Sequence, residues 1–186
     1  MENSQIEVLK KKYSQIIDDL IKVNKKFYKL NYEIKWIFIF DENVANVCAF
    51  DAKKGIIKIN VVTVAYSYEN NQPLFIECFL LHEIRHFYQQ LIINEYLRNP
   101  NECINSVIAQ QWLFEKKNYI KPLDENGHLN VNYYLQDIEI DAFSFSYAVI
   151  IYKYGDLKYL KIPSAYQNEY FKEQLNTWIE LFKKEQ

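Results

Sequence analysis

Two imidazoles and a carboxylate fall within five residues of one another, in His82-Glu83-Ile84-Arg85-His86, at the centre of an apolar stretch from Leu74 to Ile93. On a helix, His82 and His86 stand one turn apart on the same face with about 6 Å between their Cβ atoms, a reach suited to holding one metal ion. The chain has only three histidines, and two of them occupy these positions, with Glu83 where a general base is needed. The plain alternative is a solvated helix face on which Glu83 and Arg85 are ordinary surface charge. The oily surroundings argue against it. Burying two imidazoles and a carboxylate without partners costs several kcal/mol, and a divalent cation satisfies them directly. The spacing reads as a zinc site.

A catalytic zinc usually takes three protein ligands and leaves a fourth position to water. His128 lies in the loop Asp124-Glu125-Asn126-Gly127-His128, where a lone histidine is usually just exposed, while Asp137, Glu139 and Asp141 lie in a second apolar stretch, Val131 to Tyr152. Read as a helix, that stretch groups Glu139 with Leu135, Ala142, Phe143 and Ser146, and turns Asp141 about 200° away. Glu139 is the preferred third ligand, because small Ala142 and Ser146 on its face allow a close approach to the His-bearing helix. Asp141 and His128 stay open as alternatives. Asp141 otherwise reads as a partner for Arg85 or as a surface acid.

The first motif followed by Glu139-Ile140-Asp141-Ala142-Phe143-Ser144-Phe145 resembles the zincin metallopeptidases whose third ligand is a glutamate on a later helix. In particular it is similar to the ImmA/IrrE family of small bacterial and phage-associated proteins, which carry HExxH and then a helix of the form E-x-E-A-N-x-F-A. Asp141 stands at the second Glu of that pattern, Phe143 replaces the Asn, Phe145 matches the Phe and Ser146 replaces the last Ala. Arg85 departs from the small residue often seen at its place. The resemblance implies a zincin-like domain, zinc held by His82, His86 and Glu139, Glu83 as general base, and a protein or peptide substrate of narrow specificity.

The mechanism expected of such residues is hydrolysis of a peptide bond: zinc brings a bound water near neutrality, Glu83 accepts its proton, and the hydroxide attacks a carbonyl polarised by the metal. A further donor normally stabilises the tetrahedral oxyanion, and Tyr133, Tyr134 and His128 are the candidates. Most of the sixteen tyrosines must be packing residues, so each of these is one choice among many. The alternative is a non-catalytic zinc module of the same fold, in which Glu83 forms a structural ion pair and the metal organises a surface for a partner.

Several elements must position these groups. Pro73 fits the first turn of the His-bearing helix, with Asn70 or Asn71 as its cap, and Leu80, Leu81, Ile84, Phe87, Tyr88 and Leu91 form a core face opposite His82, His86 and Gln89. Ser4 with Glu7 reads as a capping box for a long amphipathic helix whose stripe is Ile6, Leu9, Tyr13, Ile16, Leu20, Val23, Phe27 and Leu30. Between Glu33 and Val64 three strands are expected, at 36–40, 44–50 and 56–62, with a hairpin turn at Lys53-Lys54-Gly55. The segment 57–62 is a candidate edge for pairing with substrate. Glu102 to Lys117 reads as a helix packing through Trp112 and Phe114, and Lys121 to Asn130 as the longest loop. Gly155 ends the Glu139 helix, and Pro163-Ser164 starts a last helix whose buried stripe is Phe171, Leu175, Trp178 and Phe182.

The expected fold is α+β: a small antiparallel or mixed sheet of about three strands against the HExxH helix, the Glu-bearing helix and flanking terminal helices. A length of 186 residues, 49% of them hydrophobic, supplies core for a single domain over residues 1–186. A net charge near −2 with dispersed lysines leaves no footprint for nucleic acid. Cys48, Cys78 and Cys103 lack C-x-x-C spacing and read as reduced, buried thiols. The first residues lack the order of a signal peptide and no apolar run is long enough for a bilayer, so the expectation is a cytoplasmic protein, bacterial or phage-encoded. Substrate identity and oligomeric state leave no mark in the sequence.

Overall fold

The computed structural model describes residues 2–28, 32–155, 164–166 and 168–184. Among them it is an α+β protein with six α-helices and one three-stranded mixed sheet. The chain forms two compact units, Met1–Ile84 and Arg85–Gln186, and the boundary falls inside one unbroken helix, Pro73–Arg98. No helix among the described residues is long and apolar enough to cross a membrane.

The first unit opens with helix α1 (Asn3–Tyr28), which buries Ile6, Tyr13, Ile17, Asn24 and Tyr28. Its inward face is rotated from the expected stripe. Val23 is exposed, and Asn24 takes the inner place because its Nδ2 donates to Glu77 Oε1 at 2.7 Å and to the Leu20 carbonyl at 2.9 Å. A buried amide is tolerated when its donors are used. The capping box does not form: the Glu2 N–H donates to Gln5 Oε1, and Glu7 pairs with Lys10 instead. Leu30 and Pro163 lie outside the described residues.

Strands β1 (Lys35–Ile39), β2 (Cys48–Asp51) and β3 (Ile56–Asn60) form the sheet in the order β1-β3-β2, with β1 parallel and β2 antiparallel to β3. The β2–β3 turn closes at Gly55, whose φ of 63° lies in the left-handed region that glycine enters without a Cβ penalty. The third strand stops two residues earlier than expected. Asn60 accepts from the Val62 N–H at 3.1 Å and so caps a helix, α2 (Val61–Glu69), which the β-branched run Val61-Val62-Thr63-Val64 disguises. Because β3 is the central strand, both its edges are taken, and pairing of the 57–62 segment with substrate is ruled out. The free edge that bears on the site belongs to β2.

Helix α3 (Pro73–Arg98) begins at Pro73, as its fixed φ favours, but Asn70 is the C-cap of α2 and Asn71 sits at φ 55°, so neither caps α3. Its buried residues are not confined to one stripe. Ile76, Leu80, Leu81 and Ile84 are buried, and so are Glu77, His82, Glu83 and Gln89.

The second unit contains α4 (Ser106–Lys117), a 3-10 turn at Val131–Leu135, α5 (Asp137–Tyr154), a short 3-10 turn at Ser164–Tyr166 and α6 (Glu169–Lys184). Trp112 packs with Ile92, Ile93, Cys103, Ala109 and Ile138, whereas Phe114 is exposed, contrary to expectation. Helix α5 starts six residues later than the apolar pattern suggests, since Gln136 is extended. Its first N–H groups, on Asp137 and Ile138, donate to the Glu115 carboxylate from α4 at 3.0 and 2.8 Å, which replaces the missing local cap. The helix is buried from Ile138 to Ile150 and ends at Gly155, φ 74°, whose N–H donates to the Ile151 carbonyl. Phe171, Leu175 and Phe182 of α6 are buried, and Phe145 packs edge-on to Trp178 and Phe182.

Candidate metal centre

Glu139 lies in the first turn of α5, and its Oε1 is 3.5 Å from His86 Nε2 of α3. His82 precedes His86 by one turn of the same unbroken helix, so α3 itself brings it to this point. One ligand atom from each of His82, His86 and Glu139 lies within 4.8 Å of the others. Two ligands of a tetrahedral zinc with bonds of about 2.0–2.1 Å are separated by about 3.3 Å, so the His86–Glu139 spacing is that of groups able to share an ion. His82 is 3% and Glu139 0% exposed, and two imidazoles with a carboxylate form a donor set of catalytic zinc sites. These residues fit a divalent cation.

The Glu139 carboxylate is held from both sides. Tyr133 donates its hydroxyl to Oε2 at 2.7 Å and Tyr119 donates to Oε1 at 2.9 Å. Burial first, and then the Glu139 charge, push the Tyr133 hydroxyl far above its ordinary range, so it stays protonated and donating. Tyr119 was not anticipated. It is carried to the site by Gln136, which accepts from the Ile120 N–H and donates back to the Ile120 carbonyl, tying that segment to the start of α5. Tyr134 packs edge-on against Tyr133 and Tyr166, at 5.0 Å from each.

Arg85 and Asp141 face each other as a two-pronged pair, Nε to Oδ2 at 2.7 Å and Nη2 to Oδ1 at 3.0 Å. His128 remains in its loop, largely exposed, with Nδ1 3.5 Å from Asp124 Oδ2, and is not among the grouped residues.

Glu83 is buried, and its Oε2 accepts from the Phe50 N–H of β2 at 2.7 Å while Oε1 lies 3.9 Å from His82 Nε2. Since the Val47 carbonyl accepts from the Asn60 N–H, the alternation of an antiparallel ladder turns the backbone groups of Cys48 and Phe50 away from β3, toward the free edge. The same carboxylate acts on Cys48: burial, and then the Glu83 charge, raise that thiol well above its ordinary value, so it is protonated and a poor nucleophile. No protein-family model, curated protein or solved structure matches this chain.

Proposed function

We propose that this chain is a zinc-dependent peptidase of zincin type, with His82, His86 and Glu139 as metal ligands and Glu83 as general base. The observation that carries the reading is the convergence of the three ligand atoms within 4.8 Å in a buried position. The resemblance of the two motifs to the ImmA/IrrE family supports it, and a protein substrate of narrow specificity goes with that resemblance. When bound, zinc supplies a Lewis acid that acidifies a coordinated water and polarises a carbonyl oxygen. The chain's own groups do the rest. Phe50 fixes the rotation of the Glu83 carboxylate through Oε2, which leaves Oε1 to take up a proton. Tyr119 and Tyr133 hold the Glu139 carboxylate. The outward N–H and C=O groups of Cys48 on the edge of β2 offer an extended peptide a place to pair, next to the Phe50 N–H that Glu83 already takes.

One observation favours a second reading. The Glu83–Phe50 hydrogen bond is a structural use of the carboxylate, as expected in a zinc-containing binding module without catalysis. Glu83→Gln decides between the two, because an amide oxygen still accepts from Phe50 while the base is gone. Purified without a His tag, wild type and variant should each hold about one zinc per chain. In a whole-cell bacterial extract read by mass spectrometry of new N-termini, wild type should cut a small set of proteins, and the variant should lose that activity by about 100-fold or more. Unchanged cleavage by the variant rejects Glu83 as base. Zinc in both with cleavage by neither favours the module, and a wild type without zinc ends both readings.

A further inference from the structure

A histidine that ligates metal through one ring nitrogen usually has the other held by a hydrogen bond that selects its tautomer. For His86 the holder is Gln89: Nδ1 lies 2.7 Å from Gln89 Oε1. Gln89 is fully buried, and its Nε2 donates twice, to the Ile138 carbonyl at 2.9 Å and to Asp141 Oδ2 at 2.8 Å. Reversing that amide would set its oxygen against a carbonyl and a carboxylate, neither of which can donate. Gln89 therefore presents oxygen to His86, the ring proton sits on Nδ1, and Nε2 keeps its lone pair on the Glu139 side.

Asp141, which orients Gln89, is itself gripped by both prongs of Arg85. The guanidinium is enclosed by rings, with Tyr88, Trp178, Phe145 and Trp112 centred 4.4, 4.6, 5.2 and 5.9 Å from its carbon. Arg85 and Asp141 side chains are each 11% exposed. All these residues lie in the second unit.

We infer that Arg85, Asp141 and Gln89 are positioning residues that lock His86 in its Nδ1–H tautomer and so set the metal affinity of the site. The inference rests on reading His82, His86 and Glu139 as a metal centre, and it gives the unexpected arginine of the motif a task. Lysine could not replace it, since an ammonium lacks the planar fork that spans both oxygens and stacks on rings.

Nitrogen-15 NMR of the metal-free full chain reads the tautomer directly, with only three imidazoles to assign. Chelator competition reads the zinc affinity. Wild-type His86 should be the Nδ1–H form. Gln89→Leu should give a mixture of tautomers and weaken zinc by about 10- to 100-fold. Arg85→Lys should move both readouts the same way by a smaller factor, and it carries the test should Gln89→Leu fail to fold. A wild-type His86 protonated on Nε2, or folded variants with unchanged tautomer and affinity, would overturn the relay. A wild type that shows the Nδ1–H form yet binds no zinc would uphold the tautomer lock and overturn the metal centre instead.

Discussion

Glu139 has no exposed surface, so its charge depends on the few donors that reach it. Tyr133 is one, and Tyr133→Phe removes its hydrogen bond to Oε2 while keeping the ring that packs against Tyr119 and Tyr134. The metal-free variant should lose about 1–3 kcal/mol in urea unfolding, the usual cost of a buried acceptor left short of a donor. Tyr119→Phe should cost less, because Tyr119 is 45% exposed and water can take over its place. Equal stability of Tyr133→Phe and wild type would show that this donor contributes nothing. At this scale the sequence was readable where proximity is built into a helix: His82, Glu83 and His86 are neighbours by spacing alone. Gln89 also carried a signal, being three residues beyond His86 on the same helix. Tyr119, twenty residues from Glu139, and the Phe50 backbone N–H carried none, because only the tertiary fold brings them there.

Among the elements, the junction of β3 and α2 turns on a single side chain. Asn60 accepts from the N–H groups of Val62 and Asp41 and donates to the carbonyls of Asp41 and Asn43, all from a fully buried position. Asn60→Ala should lower stability by about 2 kcal/mol, as a lost helix cap combined with stranded buried partners. Thermal unfolding of the variant measures it, and an unchanged midpoint would mean that α2 needs no such cap. This junction is also where composition misled. Valine and threonine favour strands in general, yet here a capping asparagine ends the strand and the same residues enter a helix. Strand existence was legible from the β-branched runs between Glu33 and Asn60, but strand order was not. Nothing local says that β3 lies between β1 and β2, so the residue pattern of 57–62 resembles an edge strand although the segment's strand residues are central. The late start of α5 escaped for a related reason: the acceptor for its first N–H groups, Glu115, comes from another helix.

Across the whole chain, sixteen tyrosines set how the protein responds to alkali. Burial pushes Tyr28 in the first unit well above its ordinary range, with the Glu77 charge adding to it, and burial then the Glu139 charge do the same to Tyr133 and Tyr166 in the second. Tyr68, Tyr134 and Tyr170 shift the same way but are more open to solvent, where such effects are screened. In the unfolded chain each phenol ionises near pH 10, while the buried three keep their protons in the folded state. The folded form then binds more protons than the unfolded form, so the stability these groups contribute is complete below about pH 10 and is lost as the pH rises beyond it. With three such groups the loss approaches about 4 kcal/mol per pH unit once the unfolded phenols are fully ionised. Urea midpoints measured between about pH 8 and about pH 11 should therefore fall gently while the Cys48 thiol ionises in the unfolded chain, and then drop steeply once the phenols do. The hydroxyls of Tyr28 and Tyr166 have no hydrogen-bond partner among the described residues, so Tyr28→Phe with Tyr166→Phe should keep its stability at neutral pH and show a shallower alkaline drop. A midpoint that stays level to about pH 11 in the wild type, or a drop equally steep in the double variant, would show that these two phenols titrate alike in the folded and unfolded chain.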